Sequence, residues 1–256
     1  MDTHQSRILD QFTRQAAPFA SAAPIRDLAA LDRIVHAAGA GVDDTVLDVG
    51  CGPGLLVCAF ARVVGHATGI DLTPAMLKQA RKAQQEQGMK NISWEQGDVT
   101  SLPHTEASFS IVSSRFVFHH LQEPLTVLKE MKRVCKPGGR VVVADMAPAV
   151  KKAESLNRME RLRDPSHVRA MTEPELVNLF LQAGLPDPGV EHYRLEGKLE
   201  DLLARSFPKE GDADRVRRVF EASLADDALD LNTRREAGKI YYSFPVSVLV
   251  ARKPHS

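Results

Sequence analysis

The stretch VLDVGCGPG, Val46 to Gly54, constrains the fold of this chain more than any other. A β-branched apolar run passes without a spacer into glycines at 50, 52 and 54, and a helical pattern begins directly at Leu55. A glycine-rich strand-to-helix turn lets the backbone approach a ligand closely and aims the unpaired N–H groups of the helix start at it. Such a turn predicts a βα unit of an open parallel sheet, with the ligand at the carboxyl edge of the strands.

The surrounding pattern agrees. TVLDV (45–49), ATGID (67–71), NISWE (91–95), FSIVSS (109–114) and RVVVADM (140–146) read as strands bounded by glycine, proline or acidic turns. Helical spacing falls between them at 55–64, 74–87 and 125–134, where Leu125, Leu128, Met131 and Val134 lie along one face. Thr73 is placed to cap the second of these helices with Pro74 at its first position, and Lys136-Pro137-Gly138-Gly139 stops the third. Alternation of this kind predicts an α/β, doubly wound sheet covered on both faces.

Ahead of this core, Leu28, Leu31, Ile34 and Val35 mark an apolar helical face before the Gly39-Ala40-Gly41 break. Behind it come a charged helix over 151–163, the break RDPSHVR, and a helix opened by the capping box Thr172-Glu173-Pro174-Glu175. Two late strands are expected, at 189–195 and 239–253, separated by a helical, charged stretch.

The glycine spacing chooses between nucleotide ligands. Dinucleotide binding wants G-x-G-x-x-G or alanine, and position 55 here is leucine. Asp48, just before the loop, repels phosphates but suits the cationic sulfonium and amino group of S-adenosylmethionine. Asp71 ends the second strand, where its carboxylate is placed to accept from both ribose hydroxyls, and Leu72 and Met76 follow as walls for adenine. Asp98, in GDVTSLP, is placed to accept from the adenine amino group beside the Val99 N–H. Each position has a plainer competitor: a helix cap for Asp48, a tight turn for the glycines, a turn aspartate at 98, core packing for Met76.

Taken together, VLDVGCGPG, GIDLTPAML, GDVTSLP, FSIVSSRFVFHHL and LKEMKRVCKPGGRVVVADM resemble, in order and spacing, the class I S-adenosylmethionine-dependent methyltransferases, and within them the ubiquinone/menaquinone C-methyltransferase branch. The resemblance runs over residues 10–185 and is specific to the family, not to a substrate. It implies a Rossmann-like seven-stranded sheet of order 3-2-1-4-5-7-6 with the last strand antiparallel. It implies cofactor contacts from Asp48, Gly50, Gly52, Asp71, Leu72, Asp98 and Val99, with Ser114 and Arg115 near the methionine part. FTRQAAPF resembles the family's lid, which would bring Phe12, Gln15 and Phe19 over the cofactor. Where the family often carries aspartate after the phenylalanine of the fourth strand, this chain has Ser110.

Methyl transfer from a sulfonium is an in-line displacement that needs positioning and dryness, and a base only where the acceptor must lose a proton. RFVFHHL makes His119 and His120 the catalytic candidates, with one ring expected to face the cofactor methyl; His167 and His192 are further candidate bases. Capping or backbone bonding by both rings is the alternative. Arg115 is suited to a cofactor carboxylate or an anionic substrate, with surface pairing as its competitor. Arg163, His167 and Arg169, in ERLRDPSHVR, are candidates for the acceptor pocket, against a reading as a capped, solvated basic face. No metal is expected, because adjacent helical side chains diverge and no ligand set is completed.

Composition narrows the partners. Lysine plus arginine (33) balances aspartate plus glutamate (33), which argues against nucleic acid and an anionic membrane. MDTHQSRILDQF lacks a leader pattern, and no apolar run reaches the ~18 residues of a spanning helix, so a cytoplasmic location is expected. Cys51, Cys58 and Cys135 form no Cys-x-x-Cys pair and are read as reduced thiols. The expectation is one domain over 1–256, with a lid at 1–40, a cofactor core at 44–147 and substrate caps at 148–171 and 197–237. Its activity is read as methyl transfer to a small-molecule acceptor. A cyclase or decarboxylase on the same fold, without net methyl transfer, is the alternative, and a non-enzymatic binding module is third.

Overall fold

The computed structural model describes residues 3–255; Met1 and Asp2 of the expected lid, and Ser256, lie outside the described residues. The five expected core strands are β1 (Thr45–Val49), β2 (His66–Asp71), β3 (Ile92–Gln96), β4 (Phe109–Arg115) and β5 (Cys135–Met146), and they pair in parallel in the order β3-β2-β1-β4-β5. β1 and the 141–144 part of β5 are nearly continuous apolar runs because helices cover both faces of the sheet there.

The chain opens with α1 (Thr3–Ser21) and α2 (Leu28–Ala37). The crossovers are α3 (Leu55–Ala61), α4 (Pro74–Glu86) and α5 (Pro124–Val134). On one face Val127, Leu128, Met131 and Val134 pack with Leu176, Leu179 and Phe180 over Leu47, Val112 and Val141. On the other, Leu31, Ile34 and Val35 join Leu56, Val57 and Phe60 against Val46, Ile111 and Val142.

After β5 come α6 (Ala153–Arg163), α7 (Glu173–Gln182), β6 (Gly189–Lys198), α8 (Leu199–Ala204), α9 (Asp212–Asp226), β7 (Arg234–Glu236) and β8 (Lys239–Arg252). β8 runs antiparallel to both β5 and β6, which completes the expected order with β8 in the place of the seventh strand. The described residues form eight strands, one more than the sequence suggested. The extra one, β7, pairs with the start of β8 across Ala237-Gly238, whose φ values of 46° and 74° fit a two-residue hairpin turn. A third apolar cluster, including Leu156, Met159, Leu202, Phe220, Tyr242 and Phe244, fastens α6, α8 and α9 to the overhanging part of β8.

Local details correct three expectations. Leu28 is 55% exposed, because Asp27 caps α2 with bonds to Ala29 and Ala30 N–H and sets Leu28 ahead of the buried arc. Thr73 holds the cap position of α4 without a capping side-chain bond; the Asp71 carboxylate accepts from its N–H at 2.8 Å instead. Strand β5 starts at Cys135 directly after α5, and the Pro-Gly-Gly segment makes an irregularity in its pairing with β4.

Candidate functional site

A cavity of about 300 Å³ lies at the carboxyl ends of β1, β2 and β4, with α1 across it. Its floor is the glycine turn. Gly50 and Cys51 N–H donate to Ile70 O at 2.9 and 3.0 Å, which ties the turn to β2. Gly52 adopts φ +52°, and a methyl group there would meet nothing within 4 Å, so its backbone borders open cavity. At Gly54 (φ +77°) Trp94 and Ala80 stand where a side chain would go, so α3 can begin only from a glycine. Leu55 and Leu56 carry first-turn amides without helical acceptors into the cavity wall.

Three aspartates line this floor, and Glu123 also borders the cavity. Asp48 is buried and accepts from Ser113 Oγ at 2.7 Å; burial pushes its pKa up to about 7, with Ser113 and Arg115 pulling the other way. Asp71 accepts from Gly52 N–H at 2.8 Å through one oxygen and from Thr73 N–H through the other, and burial raises its pKa as well. The Thr73 side chain also donates to it, and a carboxylate, with about four acceptor positions, is not exhausted by these three bonds. Asp98 accepts from Gln5 Nε2 of α1 at 2.6 Å and from the Thr100 N–H and hydroxyl, so α1 is docked onto the carboxylate expected at adenine.

Leu72, Met76 and Val99 also line the cavity, and so does Arg115. Arg115 Nη1 donates to Ile25 O at 3.2 Å, and the guanidinium stacks 4.5 Å from the Phe116 ring centre. Its Nε and Nη2 are sealed from solvent and make no hydrogen bond of good geometry, with the buried Tyr193 hydroxyl beside the guanidinium. A buried guanidinium with idle donors is costly unless an anion completes it. Ser114 is a correction: it is fully buried, donates to Val49 O at 2.9 Å and lies outside the cavity wall, because strand alternation turns it away from its neighbour.

The histidine pair sits in one 3-10 turn, Phe118–His120. His120 lines the cavity, with the Phe12 ring edge-on at 4.9 Å. Its Nδ1 meets Ser166 O and Ser166 Oγ, each at 3.1 Å. Burial, and then the neighbouring His119, hold its pKa well below the ordinary imidazole value. His119 lies outside the cavity wall and pairs with the buried Asp145 at 2.6 Å, so of the two candidate rings His120 is the one that faces the cavity. His167 is a further correction. It is bonded to Asn157 at 2.8 Å, its Nδ1 is sealed and unpartnered, and burial drives its pKa down.

Both arginines proposed for the acceptor pocket lie elsewhere. Arg163 is held by the fully buried Glu160 and by Ser206 Oγ, and Arg169 pairs with Glu175 at the surface. His192 pairs with Glu173 on an exposed edge. Of the lid residues, Phe12 and Phe19 line the cavity, whereas Gln15 bonds Asp164 and Ser206 O behind it. Sequence reading missed Gln5, Ile8 and Ile25. Gln5, Ile8 and Phe12 follow helical spacing along α1, which is the signal that would have found the first two. Among the described residues no group of three or more His, Cys, Asp or Glu side chains is placed to hold a metal ion.

Comparison with known proteins agrees with this architecture. Residues 47–143 match the family model of a methyltransferase domain. The uncharacterized methyltransferase YcgJ of Bacillus subtilis is 31% identical over 192 residues, which cover 74% of this chain and 75% of that protein. Its crystal structure superposes with a TM-score of 0.79 over 89% of this chain and 99% of that one, at 24% identity. The ubiquinone/menaquinone biosynthesis C-methyltransferase UbiE of Bdellovibrio bacteriovorus is 38% identical over 115 residues, 44% of this chain and 48% of that protein. The [4+2]-cyclase SpnF, at 22% identity and a TM-score of 0.61 over 90% of this chain and 81% of that one, shares the fold.

Proposed function

This chain belongs to the class I S-adenosylmethionine-dependent methyltransferases, and from that premise we propose that it methylates a small, largely apolar molecule held beside His120. Fold likeness alone does not separate methyl transfer from cyclisation; the sequence match to methyltransferases favours transfer over the cyclase or decarboxylase alternative. One observation carries the binding assignment: Arg115, with two idle donors, and the ribose-suited carboxylate of Asp71 stand on opposite sides of an open glycine turn.

In this reading Gly50 and Gly52 let the backbone approach the cofactor, Asp71 accepts from the ribose hydroxyls, and Leu72, Met76, Asp98 and Val99 hold the adenine. Arg115 takes the methionine carboxylate, and Asp48 faces the cationic end. S-adenosylmethionine supplies an electrophilic methyl group on its sulfonium. The protein aligns the acceptor with it and excludes water, which suits a displacement whose rate comes mainly from positioning. Ile8, Phe12, Phe19 and Ile25 from the N-terminal segment, with Phe116 and Leu121, form the apolar walls.

In this reading the chain is one domain in which the described residues of the 1–40 segment cover a core at 44–147, while segments 148–171 and 197–237 brace the walls. Balanced charge supports a small-molecule acceptor and disfavours nucleic acid. Among the described residues no helix is long and apolar enough to cross a membrane, and a cytoplasmic site of action fits the sequence. Incubating the protein with methyl-labelled cofactor and a metabolite extract, followed by untargeted mass spectrometry, tests the reaction. A labelled product is expected; binding of cofactor without label in any product would contradict methyl transfer.

A further inference from the structure

The RDPSHVR segment is absent from the cavity wall, yet it ends in direct contact with the histidine that lines it. Ser166 Oγ lies 2.6 Å from Asp164 Oδ1, and Ser166 N–H donates to the same oxygen at 2.9 Å. Burial pushes Asp164 up, but the Arg163 charge and the hydrogen bonds from Ser166 outweigh it and leave its pKa below the ordinary value, so it stands as a carboxylate. An ionised carboxylate only accepts hydrogen bonds, so the Ser166 hydroxyl must donate to it. Towards His120 the hydroxyl can then only accept, and the Ser166 carbonyl can likewise only accept. Two acceptors converge on Nδ1, each at 3.1 Å. A neutral imidazole carries one N–H, and here Nδ1 must bear it.

The carboxylate that starts this chain is itself fixed from two elements. Gln15 of α1 donates to Asp164 Oδ2 at 3.1 Å, and Arg163 at the end of α6 approaches within 3.8 Å. The ring is clamped between the Phe12 edge and His119, whose ring centre is 4.1 Å away. Among the described residues no group hydrogen-bonds His120 Nε2, and it is not among their sealed, unpartnered atoms.

We propose that Asp164 and Ser166 are positioning residues that fix His120 with its proton on Nδ1 and a bare Nε2 presented to the acceptor, which selects acceptors bringing an O–H, N–H or S–H donor. The inference rests on the methyl-transfer reading for its substrate class, while the tautomer stands on geometry alone. During transfer the bond between the sulfonium sulfur and the methyl breaks and its electron pair stays on sulfur. The acceptor heteroatom bonds the methyl, and its X–H electron pair remains on that atom. The proton passes to Nε2, and the resulting imidazolium returns it to water. A carboxylate or phosphate oxygen has no proton to offer at this position and is not accommodated.

Nitrogen NMR of protein carrying labelled histidine tests the tautomer without any acceptor, with the His120 signals assigned by their loss in His120→Gln. The wild type is expected to show Nδ1 protonated and Nε2 unprotonated as one form. Ser166→Ala should shift this to a mixture of both tautomers, and Ser166→Thr should restore the single form. A wild-type ring protonated on Nε2, or a Ser166→Ala spectrum identical to wild type, would overturn the proposal. Calorimetry with S-adenosylhomocysteine on the same wild-type sample separates the two readings. Failure to bind would strike the methyl-transfer reading and leave the tautomer result in force.

Discussion

The carboxylate floor and the imidazole wall of the cavity are both dry, and dryness acts on them with opposite sign. Asp48 and Asp71 are pushed up towards neutrality, and His120 is pushed down towards it. The remedies differ as well. The floor is built from strand ends and backbone amides within one βα turn, so Asp71 is positioned by Gly52 and Thr73, its own neighbours in the fold. The wall is assembled from distant pieces: His120 from the turn after β4, Ser166 from the loop after α6, and Phe12 from α1. A floor of this kind suits a cationic cofactor with hydroxyls to bind. The wall offers one unpartnered nitrogen among apolar groups, and that suits an acceptor.

Four changes test this division. The largest effect is expected just behind the wall: His119→Ala takes the imidazole away from the buried Asp145 and should cost about 3 kcal/mol in urea unfolding. His120→Ala should instead keep most of the stability while labelled-product turnover falls about 100-fold. Equal turnover losses in both variants would erase the distinction between the two rings.

At the floor, a carboxyl with a pKa near 7 is mostly neutral at low pH and attracts no cation; above that pH it is charged. Affinity for S-adenosylmethionine should therefore rise as pH rises, about tenfold between roughly pH 6 and 8 by ionised fraction, and Asp48→Asn should flatten the profile. Calorimetry at the two pH values reads this directly, and an unchanged wild-type affinity would remove Asp48 from the cationic end. The smallest effect is expected at Arg169, whose side chain is exposed, pairs with Glu175 and lies outside the cavity wall. Arg169→Ala should change cofactor affinity and stability by less than about 0.5 kcal/mol, as measured by the same titration and by urea unfolding.

The same contrast explains what was legible in the sequence. Val46 to Gly54, Asp71 and Asp98 were readable because strand, turn and helix are contiguous, and a short span fixes where each side chain points. The order of the sheet followed from the resemblance, and β7 escaped because a three-residue strand buries too little to leave a pattern. The wall resisted reading for a geometric reason. His119 and His120 are adjacent in a single 3-10 turn, so one faces Asp145 and the other the cavity, and nothing in the letters says which. Arg163 and His167 looked like pocket residues because basic side chains in a loop suggest an anion; in the fold they face Glu160 and Asn157.

The division between a binding floor and an acting wall is tested most directly by calorimetric titration of S-adenosylhomocysteine into Asp71→Ala and His120→Ala side by side with wild type. Loss of the ribose bonds to a charged group should weaken binding to Asp71→Ala by about 100-fold, while His120→Ala should stay within about twofold of wild type. Tight binding by Asp71→Ala together with lost binding by His120→Ala would contradict the account.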